Sequence, residues 1–113
     1  MKKNVEIINY QLYIDKQLIK LPFPAYEFLI YNNGIVVLMN TKPNECRDNI
    51  FFVNEDGTIR WQIEPFAYVE KPGYSGYTSV FERNGELHAF MFDGFDCHID
   101  PMTGKILDKV FVK

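Results

Sequence analysis

One hairpin is written twice in this chain, and the repeat constrains the fold more than any other feature. "YEFLIYNNGIVVLMN", starting at Tyr26, falls on "YTSVFERNGELHAFM", starting at Tyr77, with Gly34 on Gly85. "IFFVNEDGTIRW" then falls on "DCHIDPMTGKILD", with Gly57 on Gly104 and Ile59 on Ile106, given one extra residue in the second turn. Apolar runs of about four to eight residues are cut at short intervals by turn residues, and no long stretch has the 3,4 spacing of a helix. The punctuation is Asp15-Lys16, Asn32-Asn33-Gly34, Glu55-Asp56-Gly57, Arg83-Asn84-Gly85, Asp93-Gly94 and Pro101-Met102-Thr103-Gly104. Each places Gly or Asn where a hairpin needs positive φ, or Pro where a turn needs φ fixed. The expected fold is all-β, an antiparallel meander of about ten strands.

At 113 residues the chain is one domain with one hydrophobic core. Its expected divisions are an N-terminal hairpin (1–25), a first repeat (26–65), a connecting loop (66–76) and a second repeat (77–113). Four short strands in roughly 40 to 50 residues is the period of β-propeller blades. Asp100, Thr103, Gly104, Lys105, Ile106 and Leu107 in the second copy, and Asn54, Gly57, Ile59 and Trp61 in the first, resemble the ends of quinoprotein-type propeller repeats. The resemblance implies two four-stranded blades forming a half-propeller. It departs from that family at Asp108, which stands where a docking Trp belongs, and it implies no cofactor. Ile8, Tyr10, Leu12 and Ile14 alternate onto one face before Asp15-Lys16 turns the chain into "QLIKL", so the N-terminal hairpin is expected to cap one blade. Homodimerisation into a four-bladed ring is the alternative way to cover an apolar sheet face.

Composition sets the context. An apolar fraction of 47% with 16% aromatic residues suits strands and excludes disorder. The start of the chain alternates polar and apolar residues instead of forming a signal sequence, and no window has the roughly 18 apolar residues of a spanning helix, so the expectation is a cytoplasmic protein outside the membrane. Cys46 and Cys97 are then free thiols. A net charge of −3 argues against nucleic acid and for a neutral or basic protein partner.

In a meander, successive turns fall at opposite ends. The longer segments Leu21 to Ala25, Thr41 to Asn49, Glu64 to Tyr77 and Asp93 to Asp96 share one end, where extra length suggests function. Six acids and three bases there leave a net −3, interleaved with aromatic residues. The candidate partner-binding residues are Glu45, Asp48, Glu64, Tyr68, Glu70, Tyr74, Asp93, Phe95 and Asp96, with aromatic rings as anchors and carboxylates for electrostatic steering. The competing reading is that Phe23, Phe66 and Phe95 plug the core and the acids are ordinary loop residues.

Motifs for catalysis are missing. There is no phosphate loop, nucleophile elbow or His-Glu-x-x-His pair. Cys97 and His98 are adjacent on a strand and point to opposite faces, His88 reads as a packed neutral imidazole, and Trp61, Ile59 and Ile63 read as core; no metal or cofactor site is expected. In type, a small acidic all-β domain with a charged aromatic end resembles the immunity proteins that neutralise nuclease-type toxins of neighbouring bacteria. The expected function is therefore non-enzymatic occlusion of a basic toxin domain, with a propeller-type assembly module as the alternative.

Overall fold

The computed structural model describes residues 2–42, 44–66 and 75–112. They form eleven strands in three antiparallel sheets, with no helix among them. The first sheet holds β1 (Val5–Ile8), β2 (Gln11–Ile14) and β3 (Gln17–Ile19). The second runs through β4 (Ala25–Tyr31), β5 (Gly34–Met39), β6 (Ile50–Asn54) and β7 (Ile59–Gln62). The third runs through β8 (Tyr77–Arg83), β9 (Glu86–Met91), β10 (Phe95–Ile99) and β11 (Ile106–Phe111). Every sheet is a plain meander in which neighbours in sequence are neighbours in space.

Turn chemistry explains the connections. Four hairpins close through two residues that both hold positive φ: Asn9-Tyr10, Asp15-Lys16, Asn32-Asn33 and Asn84-Gly85. This backbone twist matches that of the flanking strands. The first of these corrects the sequence reading. Ile8, Tyr10, Leu12 and Ile14 do not lie on one strand: the chain reverses at Asn9-Tyr10, Tyr10 is exposed, and the N-terminal hairpin is a three-stranded sheet. Tyr is rarely found at positive φ, so the turn carried little signal.

The apolar residues form two clusters, not the expected single core, one on each side of the second sheet. Towards the third sheet, Val36, Leu38, Ile50, Phe52 and Trp61 meet Leu87, Ala89, Met91, Phe95, Cys97 and Ile99. Towards the first sheet, Ile35, Val37, Met39, Phe51 and Val53 meet Leu12 and Ile14. The N-terminal sheet therefore caps the first repeat. β5 is buried at every position because both of its faces are covered. Gly34 lacks a side chain for a steric reason: an added Cβ would lie 2.2 Å from the Phe52 ring. Trp61 lies against Gly104 in the same way and donates from Nε1 to the Pro101 carbonyl at 2.9 Å, joining the second sheet to the β10–β11 turn. Ile59, expected to be core beside Trp61, is exposed instead, because a register shift between Phe52 and Val53 breaks the alternation.

Strand pairing also refines the repeat. Val37, three residues after Gly34, faces Phe51, whereas His88, three residues after Gly85, faces His98. Phe51 thus corresponds to His98 and not to Cys97, and the copies run in step to Gly57 and Gly104 without an extra residue.

Candidate functional site

Among the described residues, the β5–β6 loop, the segment just before β8 and the β9–β10 turn lie at one end, and a buried side chain ties the first two together. Asn49 accepts from the Tyr77 backbone N–H at 2.8 Å and donates to the carbonyls of Tyr77 at 3.0 Å and Met39 at 3.2 Å. A single amide thus holds the β5–β6 loop against the start of β8. The β5–β6 loop is also bound to itself. The Glu45 carboxylate accepts from the Lys42 N–H at 2.9 Å, and the Thr41 hydroxyl donates to the Cys46 carbonyl at 2.7 Å. Asp93, in the β9–β10 turn, accepts from the Ser75 N–H at 2.9 Å, linking that turn to the segment before β8. The Val112 N–H donates to the Gly94 carbonyl at 2.7 Å, bringing the C-terminal segment to the same turn.

The candidate residues divide into several groups. Glu45 is exposed on this end, and Asp48 and Asp93 are half-buried. The Asp48 carbonyl also accepts from Gln62 at 2.9 Å. Phe95 is not available to a partner. It is a core residue, with ring centroids 5.0 Å from Phe66 and 5.2 Å from Phe111. Asp96 is not in a loop: it lies in β10 and is 8% exposed, with both carboxylate oxygens engaged inside the protein. Glu64 reaches across to β11 and accepts from the Ile106 N–H at 2.6 Å, so it fastens two sheets together. Tyr68, Glu70 and Tyr74 lie outside the described residues. The residue that pattern reading missed is Phe92. Next to Asp93 at the tip of the β9–β10 turn, it is 76% exposed, the most exposed large apolar residue described. An aromatic ring in a four-residue turn facing water was the available signal.

A second polar constellation occupies the outer face of the third sheet, opposite its core face. The Arg83 guanidinium and the His88 ring both approach Asp96, at 2.9 and 2.8 Å. The Glu86 carboxylate lies 3.5 Å from Nε2 of His88 and 3.7 Å from Nε2 of His98. Phe81, His88 and His98 are cross-strand neighbours, and their rings stack in a row at 5.4 and 5.2 Å. Burial on its own raises the Asp96 pKa, but the hydrogen bonds from His88 and Arg83 outweigh it and hold the carboxyl below its ordinary value. Cys97, on the core face of the same strand, is pushed up to about 11, chiefly by burial. Cys46 is also raised, again chiefly by burial. Neither thiol is primed as a nucleophile.

Three stacked meanders with a tied loop end define the class: an all-β antiparallel protein in which no helix among the described residues is long and apolar enough to cross a membrane. Residues 2–111 match the family described as "Domain of unknown function (DUF7957)", and the chain belongs to it. No curated protein matches the chain. Among solved structures it is similar to the crystal structure of the computationally designed Ika8 protein, at a TM-score of 0.61 and 13% identity. That match covers 91% of this chain and 30% of the designed one, so the chain spans about a third of its length. At this identity the likeness shows the fold.

Proposed function

We propose that the protein is a non-enzymatic binding protein whose long-loop end covers a basic protein partner. The observation that carries this reading is Phe92, held out in water beside Asp93 at the end where Asn49 and Ser75 tie the loops together. A large ring presented from a tethered turn loses little conformational freedom on binding, which is what an interface anchor needs. Glu45, Asp48 and Asp93 supply the acidic surround that speeds encounter with a basic surface. The partner class that fits is a nuclease-type toxin domain whose catalytic cleft is lined with Lys and Arg, and the role is that of an immunity protein acting by occlusion. Relative to the sequence expectation, Phe95, Asp96 and Glu64 leave the binding set and Phe92 enters it.

Assembly through sheet faces has less support. The first sheet covers the outer face of the second within the same chain, and ion pairs occupy the outer face of the third. The test is affinity capture of the tagged protein from its native cells across a salt series, with Phe92→Ala in parallel. A stoichiometric basic partner that is lost at high salt, and lost by the variant, is the expected result. Recovery of the chain alone as a salt-insensitive dimer would overturn the reading in favour of assembly.

A further inference from the structure

We propose that the groove beside the β1–β2 turn is a binding site for a short neutral saccharide, with the Tyr10 and Phe23 rings as stacking faces and the amides of Asn9, Gln11 and Asn40 as hydrogen-bonding groups. The groove measures about 570 Å³ and is lined by that turn, the end of β3, the Lys20 to Pro24 segment and Asn40. Small-molecule sites occupy roughly 300 to 1,000 Å³. Two backbone hydrogen bonds fix its walls. The Ala25 N–H donates to the Tyr10 carbonyl at 2.8 Å, and the Asn40 N–H donates to the Pro24 carbonyl at 2.7 Å. The chain before β4 is thereby held between the turn and the end of β5. The groove meets the loop end at Asn40, yet nothing in it requires the protein partner proposed above.

The starting point is Tyr10. It occupies the second position of a two-residue turn, with φ at 63°. In the other three turns of this kind that position belongs to Lys16, Asn33 and Gly85. Left-handed backbone is costly for an aromatic residue and nearly free for glycine, and Asn-Gly is the pair such a turn prefers. Chain reversal alone therefore calls for Gly after Asn9. Burial does not account for the ring either, because Tyr10 is 55% exposed. A residue held in a strained conformation that serves neither the turn nor the core, and that lines a groove, points to a ligand.

The lining selects the ligand class. Lys20 is its only charged residue, so a polyanion would find little to offset its desolvation. A purely aliphatic ligand would cover the exposed amides of Asn9, Gln11 and Asn40 and leave them without partners. Each amide carries two donors and a carbonyl acceptor. Sugar hydroxyls both donate and accept, and so match such groups in either direction. The C–H face of a sugar ring is weakly positive and packs on the negative face of an aromatic ring, which the exposed Tyr10 and the half-buried Phe23 provide. A proline-rich peptide also suits an aromatic groove, but its prolines offer only acceptors and would use less of the three amides.

The test presents the untagged full chain with three immobilised neutral disaccharides, cellobiose, lactose and di-N-acetylchitobiose, beside a sialylated trisaccharide and a proline-rich peptide. At least one neutral disaccharide should be bound, and saturation-transfer NMR should place the contact on the C–H protons of one ring face. Tyr10→Gly should weaken that binding by more than about tenfold while leaving the Tm unchanged or higher, because glycine relieves the positive φ. A merely structural tyrosine would not couple lost binding to retained stability. Asn40→Ala should also weaken binding at unchanged Tm. Capture of a basic protein partner should be unaffected by Tyr10→Gly, so the two readings fail separately. Binding of none of the neutral sugars, binding indifferent to Tyr10→Gly, or preference for the sialylated probe or the peptide overturns the site.

Discussion

The second sheet hides both of its faces and the third hides only one, although the two follow the same meander. Both turn the same positions into their shared core, Val36 and Phe52 from one, Leu87 and Ile99 from the other. On the far side they part. The second sheet carries Ile35, Val37 and Phe51 under the N-terminal sheet, while the third carries Glu86, His88, Asp96 and His98 facing outwards. β5 accordingly reads as an unbroken apolar run, "GIVVLM", whereas β9, "ELHAFM", begins in alternation with Glu86 and His88 on the outward face. A strand's periodicity reports how many of its faces are covered. A stack of sheets must also end, and at the third sheet the outward face carries the Arg83, His88 and Asp96 ion pairs.

This comparison can be broken experimentally. The largest effect belongs to the face shared by both sheets. Phe52→Ala removes the ring that fits over Gly34 and packs 5.5 Å from Trp61, and should cost about 3 to 5 kcal/mol in urea unfolding. His98→Ala, on the uncovered face, should cost less than about 1 kcal/mol. Equal losses would erase the distinction between covered and uncovered faces. Next in size is the polar network. Asp96→Ala leaves His88 and Arg83 without their carboxylate and should cost about 1 to 3 kcal/mol, whereas His88→Leu combined with Asp96→Leu should recover most of that loss. A double variant as unstable as the single one would show that the charges do more than seal the face.

Acid titration sharpens the same point with a smaller signal. The folded pKa of Asp96 lies below its ordinary 3.8, so its contribution is intact above that pH and is lost as pH falls below it. Wild type should lose stability more steeply below about pH 4 than Asp96→Asn does, and parallel curves would count against the ion pairs. The least perturbing test is thiol labelling at pH 8. Cys97, with its pKa near 11 and its side chain in the core, should stay unmodified in the native protein while the half-buried Cys46 reacts first. Early labelling of Cys97 would mean that the third sheet opens readily.

Much of this fold was legible in the chain. Asn-Asn, Asn-Gly and Asp-Lys pairs between apolar runs marked three of the four tight hairpins, because few residues tolerate the positive φ those turns need. The Asn9-Tyr10 turn was hidden by its tyrosine. In the sequence Phe95 and Asp96 follow Asp93-Gly94 as part of one loop segment, yet β10 begins directly after Gly94. The end at which the longer loops gather is legible from the alternation of turns, but only exposure separates Phe92 from Phe95. Nothing local in the sequence relates His88 to His98, since pairing across a hairpin is a property of register and not of adjacency.

By itself the sequence determined the all-β class, the repeat and the end at which long loops gather, because turn chemistry and alternation are local and leave their mark residue by residue. Tertiary structure decided which acids are engaged by other strands, as Asp96 and Glu64 are, because a carboxylate's role depends on the donor that meets it. It also decided that two core layers exist where one was expected. Whether a sheet's second face is buried depends on what packs over it, and that neighbour is folded from residues far away in the chain.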